Sequence, residues 1–503
     1  MISLLTAEQA RGLDMRAANE LNVPSRVLME NAGAHATEVI LQQMRDKLTR
    51  VLIACGTGQN GGDGWVVARH LCAQGYLPTV WSLGDPAQSR DDALDNYRAA
   101  QALGLDARQG LGDLTQALGQ STLVVDALFG TGLSRPLEGL SLQAVQAINA
   151  SKLPCVALDL PSGIHADTAQ VCGDAIKAEL TIAFAGHKRG LHQYPGVHYA
   201  GRVACVSIGM PSAMIQSDTM LMHHTALRSL LKPRPADAHK GHQGHILIVA
   251  GSPGKTGAAL LTAHGAMRSG AGSVTIAPRA TAFNAIETRV LECMTLELSA
   301  DPEAAARKLV EFSAGADAAV LGPGIGLDLD TQTLALRIAL ELSVPTVLDA
   351  DALSAFSNAG IGSLAQAAGP RVLTPHPGEA ARLLGCQTRD IQADRYGAAV
   401  ELAKQAKHVV VLKGARSIVA SPDGKMCVCA HGCAAMATAG SGDVLAGVIA
   451  AQLKHTENSW EAASLGTLLH AVAGEQAARA DRGLLAHEIA DAIPSVVATA
   501  LAL

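Results

Sequence analysis

One rhythm in the chain constrains its fold more than any other feature. Short β-branched runs, each ending in Gly, Pro or Asp, alternate with helical stretches. RVLIACG (50–56) reads as a buried strand, and GWVVARHLCAQG (64–75) as the helix after it. LPTVWSLG, STLVVDALFG and LPCVALDLPSG repeat the pattern, and two helices, across 6–19 and 24–46, precede the first strand. Such alternation predicts a parallel sheet with helices on both faces. Ligands of such sheets bind beyond the carboxyl ends of the strands. The loops 56–64, 127–137 and 159–164 are therefore expected to face one crevice. A polar, Pro-rich stretch within 209–244, ending in KPRPADAHKGHQGH, interrupts the rhythm. It restarts at HILIVAGS (245–252) and continues through GSVTIAP, DAAVLGPGIG, PTVLDADAL and RVLTPHPGE. HVVVLKGARSIVASPDGKMCVCA (408–430) has strands separated by short turns, which predicts antiparallel neighbours. AGSGDVLAGVIAAQL and two Ala-rich helices follow. The fold class is α/β in two different domains, 1–222 and 223–503, and 503 residues suit that number.

Composition narrows the function. With 49% hydrophobic and 17% charged residues, disorder is excluded as the dominant state. Aromatics are only 3% and the net charge is −6, which argues against nucleic acid or an anionic membrane as partner. The N-terminus lacks the basic start and apolar stretch of a signal peptide. No apolar run reaches the roughly 18 residues of a membrane helix. Ten dispersed cysteines fit reduced thiols in a cytoplasmic protein.

Several motifs could carry chemistry. Gly56-Thr-Gly58-Gln-Asn-Gly61 matches GxGxxG between a strand and a helix. Asp85 lies 24 residues past Gly61, near where a dinucleotide fold wants an acid. The run Asn60-Gly61-Gly62-Asp63-Gly64, however, carries two polar side chains that a plain pyrophosphate turn does not need. Asp126, Asp159 and Ser162 stand at the ends of two further strands and, with Asn60, form an oxygen set suited to a hard cation or a polar substrate. Taken singly, each Asp is more readily a turn or helix cap than a site residue; three at one sheet edge shift the balance toward a site. Gly251-Ser-Pro-Gly254-Lys255-Thr256 misses the P-loop pattern because Val249 stands where its first Gly belongs. Gly322-Pro-Gly324-Ile-Gly326 suits close approach of a ligand. In Ala439-Gly440-Ser441-Gly442-Asp443, small residues precede a helix, so the amides of 440–442 can make an anion hole. Asp443 is then placed to act as a base or, equally, as an N-cap. Cys427, Cys429, His431 and Cys433 alternate. On a strand they share one face, filling it as small residues more readily than making a zinc site, whose cysteines favour C-x2-C.

NGGDG (60–64), DALFGTGLSRP (126–136), DLPSG (159–163) and VSIGMP (206–211) occur in order in the first half. GPGIG (322–326), DADAL (349–353), TPHPGE (374–379), KGARS (413–417) and AGSGDVLAG (439–447) occur in the second. Over nearly its whole length the chain resembles the bifunctional bacterial NAD(P)H-hydrate repair family. The first half resembles the YjeF N-terminal domain, a Rossmann-like three-layer αβα fold. The second resembles the ribokinase-like ADP-dependent NAD(P)H-hydrate dehydratase.

The resemblance implies two reactions. The first domain would interconvert the R and S epimers of the hydrates NADHX and NADPHX. The second would dehydrate the S form, using ADP and releasing AMP and phosphate. It implies Asn60, Asp126 and Ser162 as K+ ligands. Gln59, Asn60, Gly61, Gly62 and Asp63 would contact the hydrate, as would Gly130, Thr131, Gly132, Leu133, Ser134, Arg135 and Pro136, and Asp159. Asp159, with Lys188 second, is the epimerase proton-transfer candidate. In the second domain Ala258, Gly324, His376 and Asp443 would meet the hydrate, with Asp443 as general base. Lys413, Gly414, Ala415, Arg416, Ser417 and Gly442 would hold the nucleotide, and Glu379 would help organise Mg2+. His431 and Cys433 stand where a more Asn- and Pro-like lead-in is expected. A homo-oligomer is also expected. Three other readings stay open. A small-molecule kinase would leave a phosphorylated product and prefer ATP. A first domain acting only as a binding module or scaffold would lose nothing but partner binding without Asp159. A dehydrogenase would need a separate His or Lys constellation.

Overall fold

The computed structural model describes residues 1–502 and separates into two compact units, Ile2–Thr219 and the chain from Met220 onward. The first unit contains β1 (Ile2–Leu5), β2 (Val51–Cys55), β3 (Thr79–Ser82), β4 (Ala107–Gln109), β5 (Leu123–Ala127), β6 (Cys155–Leu158), β7 (Leu180–Phe184), β8 (His187–Lys188) and β9 (Arg202–Val206). Seven of these form one sheet in the order β4-β3-β2-β5-β6-β7-β9. Every neighbouring pair is parallel. β2 and β5 are buried along their whole length, as strands covered on both faces must be. Alternate residues supply the two faces. Ile53 and Val125 pack with Trp65 and Leu71 on one side. Leu52 and Val124 pack with Leu118 and Ile148 on the other. The chain runs outward from β2 to β4 and then returns beside β2 as β5. That reversal opens a crevice at the carboxyl ends of β2 and β5.

One sequence expectation is corrected here. The helix after β2 spans Gln59–Ala73, so residues 60–64 form its first turns and not a loop. Its glycines serve close approach to the sheet. A Cβ on Gly64 would stand 2.6 Å from Ala127 Cβ and 2.7 Å from Cys55 Sγ, and one on Gly61 would run into the Gly56 carbonyl. Asp85 caps a short 3-10 turn by accepting the Ala87 N–H at 3.0 Å, and gives no sign of a dinucleotide fold.

The chain then passes through β10 (Thr219–Met222) into β11 (His245–Val249), β12 (Ser273–Ile276), β13 (Met294–Thr295), β14 (Ala318–Leu321), β15 (Thr346–Leu348), β16 (Arg371–Leu373), β17 (Val409–Leu412), β18 (Ile418–Ala420) and β19 (Met426–Cys429). Nine of them run in the order β13-β12-β11-β14-β15-β16-β17-β18-β19. The strands through β17 are parallel to their neighbours. β17–β18 and β18–β19 are antiparallel, as the short turns require. The topology reverses between β11 and β14. The helix Ser441–Gln452 is buried from Val444 to Gln452 and packs on the helix Thr256–Arg268. Two glycines permit that approach: a Cβ on Gly265 would lie 2.5 Å from the Val444 carbonyl oxygen, and one on Gly447 would strike the Thr262 carbonyl.

Candidate active sites

In the first unit a cavity of about 740 Å³ opens at the carboxyl ends of the strands. Its wall includes Gln59, Asn60, Asp63, the loop 130–135, Asp159 and Lys188, so the three predicted loops do face one crevice. Gly61, Gly62 and Pro136 are not in that wall. Gly130 lets the groups converge: a Cβ there would lie 3.4 Å from both Asn60 Cβ and Asp159 Oδ2. Asp159 follows β6 with φ +65°, a left-handed conformation uncommon for a non-glycine residue. Its Oδ1 accepts the Phe184 N–H at 3.2 Å and pairs with the Lys188 ammonium. Lys188 Nζ also donates to the Phe184 carbonyl at 2.8 Å. Both side chains are largely buried, although both border the cavity.

Two further carboxyls stand near this pair. Burial, then repulsion from Asp159 and Asp14, pushes Asp63 well above the usual carboxylate range, against the attraction of Lys188. Asp14 is raised by burial and by Asp159, again against Lys188. Asp14 lines the cavity from the helix Ala7–Leu21, and nothing in its sequence context separates it from an ordinary helix-surface acid.

Asp126 and Ser162 form a tight pair behind the crevice. Asp126 Oδ1 accepts the Ser162 hydroxyl at 2.6 Å, and Oδ2 accepts the Ser162 N–H at 2.8 Å. Ser162 Oγ in turn accepts the Phe129 N–H at 2.8 Å. Burial lifts Asp126 to about 6, against hydrogen bonds from Ser162 and Leu128. Both amide atoms of Asn60 are buried without a hydrogen-bond partner. An orphaned buried amide oxygen and an all-oxygen donor set are what a hard monovalent cation would satisfy.

In the second unit the functional segments again follow carboxyl ends of parallel strands. Asp349 leaves β15, His376 and Glu379 follow β16, and Lys413 leaves β17. Lys413 Nζ pairs with Asp349 Oδ1 at 2.6 Å and lies 4.0 Å from Glu379 Oε2. Burial pulls the Lys413 pKa down, but Asp349 and Glu379 outweigh it and the net shift is upward. Gly442 meets this cluster: a Cβ there would be 3.3 Å from Lys413 Nζ and 4.0 Å from Asp349 Oδ2.

Asp443 follows in the first turn of its helix. It is not the N-cap. That position belongs to Gly440, at φ +89°. Burial and the carboxylates of Asp349 and Asp351 push Asp443 up to about 7, with Lys413 opposing. The helix-start amides point outward at this turn, although the Ser441 N–H already reaches the Thr438 carbonyl at 3.4 Å.

The switch point supplies the other wall. Gly324, at φ +59°, lies against Lys255 and Ala258: a Cβ on it would be 2.9 Å from Lys255 Cβ and 3.0 Å from Ala258 Cβ. Lys255 pairs with Asp351 at 3.0 Å, and Asp351 Oδ2 also accepts the Gly326 N–H at 2.9 Å. Ala258, Gly324, Asp351 and Asp443 are thereby linked through neighbouring groups. His376 has a local task as well. Its Nδ1 caps the helix Pro377–Leu384, accepting the Gly378 N–H at 3.0 Å, while Glu379 accepts the His376 N–H at 2.8 Å. In the segment 413–417, Gly414 (φ +136°) and Arg416 (φ +58°) make the turn, and Ser417 Oγ donates to the Gly414 carbonyl at 3.0 Å. Ala415 is exposed at its tip. Arg395 braces the turn from behind, donating to the Leu412 and Lys413 carbonyls at 3.3 and 3.2 Å.

Asp349, Asp351 and Lys255 lie within segments quoted from the sequence, yet none of them is assigned a site role there. For Asp349 the signal was present, since it ends a strand just as Asp159 does. Cys427 and Cys429 are core residues whose thiols burial pushes up to about 12. They are protonated filler on a strand face. His431 lies beyond the strand and does not join them.

Family models match both halves. One described as YjeF-related protein N-terminus covers residues 25–190, and one described as NAD(P)H-hydrate dehydratase covers 246–495. The second unit is also similar to a solved ribokinase-like superfamily protein from Enterococcus faecalis. That match has a TM-score of 0.50 and 23% identity, over 57% of this chain and 98% of that one, which shows the fold alone. A bifunctional NAD(P)H-hydrate repair enzyme from Thermofilum pendens is 36% identical over 96% of this chain and 94% of its own length. Its counterpart from Moorella thermoacetica is 40% identical over 98% of this chain and 96% of its own. The two catalytic architectures thus occur in one continuous relationship, and the chain belongs to the bifunctional NAD(P)H-hydrate repair enzyme family.

Proposed function

We propose that the first unit epimerises NAD(P)H hydrates and that the second dehydrates the S epimer at the expense of ADP. The observation that carries this reading is the convergence of Asp349, Lys413, Gly442 and Asp443 at one sheet edge. Hydroxide is a poor leaving group from C6 of the hydrated ring. Asp443 takes the C6 hydroxyl proton as that oxygen attacks the β-phosphorus of ADP, and the bond to the AMP oxygen breaks. Lys413 and the first-turn amides lie against the charge that develops on the transferring group. The ring nitrogen's lone pair then expels phosphate from C6, and loss of a C5 proton restores the dihydronicotinamide. Glu379 with Asp349 would hold Mg2+, which supplies charge neutralisation at the nucleotide phosphates when bound. The segment Lys413–Ser417 holds the nucleotide, and Ala258, Gly324 and His376 border the hydrate.

In the first unit, ring opening breaks the C6–N1 bond. The hydroxyl proton passes to Asp159 while N1 takes a proton from Lys188. Closure on the opposite ring face returns both protons and inverts C6. Asn60, Asp126 and Ser162 would hold K+, which supplies positive charge behind the crevice. Gln59, Asp63 and the loop 130–135 bind the hydrate. Ten cysteines, all free, are in keeping with a reducing compartment such as the cytoplasm. Among the described residues no helix is long and apolar enough to cross a membrane.

The deciding assay follows 340 nm absorbance of mixed-epimer NADH hydrate with Mg2+, with and without ADP. ADP-dependent recovery beyond the S fraction, faster than spontaneous epimerisation, is expected. No recovery with ADP or ATP would overturn the proposal and favour a small-molecule kinase. Replacing K+ by Li+ at constant ionic strength should slow epimerisation and leave dehydration of the pure S epimer unchanged.

A further inference from the structure

Within the second unit three histidines meet. His223 and His224 follow β10, and His431 lies just past β19. The Ala430 N–H donates to the Met222 carbonyl at 2.9 Å, which draws the two segments together. One imidazole nitrogen from each residue falls within 4.8 Å of the other two. The ring centroids are 4.1, 4.9 and 5.2 Å apart.

The ring of His431 is already oriented. Its Nε2 accepts the His224 backbone N–H at 2.9 Å, so the proton sits on Nδ1. Nδ1 donates to Glu475 Oε2 at 2.7 Å, and the other oxygen of Glu475 accepts the Gly432 N–H at 2.7 Å. A carboxylate that fixes one ring nitrogen is the usual second layer of a histidine metal site; the lone pair of the other nitrogen, here taken up by the His224 amide, is the one a metal would have to claim.

We propose that His223, His224 and His431 form a binding site for a borderline divalent transition-metal cation of the zinc class, with Glu475 orienting His431. Imidazole nitrogens suit zinc, nickel or copper and do not suit Mg2+. Tetrahedral zinc at about 2.0–2.1 Å from each nitrogen would bring the nitrogens roughly 3.4 Å apart, so the rings must close in by up to about 1.4 Å. His224 is exposed and His223 half-buried, so these two rings would make the adjustment while Glu475 holds His431. The metal would take the His431 Nε2 lone pair, and the His224 amide would turn to water. The surrounding charges are mixed. Burial, then His224 and His431, hold the His223 imidazole below its ordinary pKa, and Arg416 adds to this against Glu475. Bound metal would clip the start of the 431–440 segment, which leads into the Gly440 turn, to the stretch after β10.

The test is Zn2+ titration of the chelator-stripped full chain against a chromophoric chelator, with Co2+ absorption as a second readout. One equivalent is expected in the wild type, with a rise in Tm. His431→Ala and His224→Ala should each lose that equivalent. Glu475→Gln should keep it with roughly ten- to hundredfold weaker affinity. His239→Ala/His242→Ala, which removes a neighbouring exposed histidine pair, should bind as the wild type does. Should His431→Ala not fold by circular dichroism, the exposed His224→Ala decides alone. Wild-type Zn2+ binding no tighter than that of His224→Ala, or loss in the His239/His242 variant instead, would overturn the proposal.

Discussion

At the scale of single residues, function is set by where charge is buried. Asp443 titrates near 7 because burial and the Asp349 and Asp351 carboxylates disfavour its ionised form. As a base it must be ionised, so kcat/KM for dehydration should fall about tenfold per pH unit below about 7 and level off above it. Asp443→Asn should lower kcat by roughly 10²–10⁴-fold with the fold intact, as measured on the pure S epimer. Stability gives an independent check. The folded pKa lies above the unfolded value, so ionised Asp443 destabilises the fold. That cost is absent below the unfolded pKa, grows as pH rises, and is complete above about 7. Asp443→Asn should therefore raise Tm, and by more at pH 8 than at pH 5. A Tm change independent of pH would contradict the assigned titration. Asp443 was legible as a base or a cap, and its place at Gly440 plus three decides against the cap. Asp14 was not legible, because only tertiary packing brings that helix face to the cavity.

At the scale of elements, glycines decide how close helices come to their neighbours. Sequence reading took residues 60–64 as a turn because Gly clusters usually mark one. The structure uses them inside the helix Gln59–Ala73, where the lack of a Cβ lets the helix press on β2 and β5. The strand rhythm was legible for β2, β3, β5 and β6 and for most of the second unit. Hydrophobic runs flanked by turns leave little choice there. β1, β4 and β8 were not, being short or flanked by polar residues whose strand character comes from pairing alone. Gly64→Ala places its Cβ 2.6 Å from Ala127 Cβ and should destabilise the first unit by about 1–3 kcal/mol in urea unfolding. Gly58→Ala, with nothing within 4 Å of the new Cβ, should cost only the roughly 0.5–1 kcal/mol of a poorer helix N-cap. Equal effects of the two would mean that helix–sheet contact is not what these glycines serve.

At the scale of the whole molecule, each unit places its own lysine–carboxylate pair beyond the carboxyl ends of parallel strands of its own sheet. Lys188 with Asp159 serves one and Lys413 with Asp349 the other. Neither pair draws a residue from the other unit, so the two activities should be separable by single substitutions. With mixed-epimer hydrate and ADP, Asp159→Asn should recover NADH quickly up to the S fraction and then only at the rate of spontaneous epimerisation. Its rate on pure S epimer should equal that of the wild type. Asp443→Asn should give no recovery, yet still equilibrate the epimers when they are separated chromatographically. Mixing the two variants should restore full conversion, because free hydrate released by one protein is substrate for the other. If the mixture stalled at the S fraction, exchange through solution would be too slow, and transfer would depend on both sites residing in one chain. If Asp159→Asn left epimerisation intact, the first unit's chemistry would have to be reassigned, with Asp63 and Asp14, the two raised carboxyls of the same crevice, next in order.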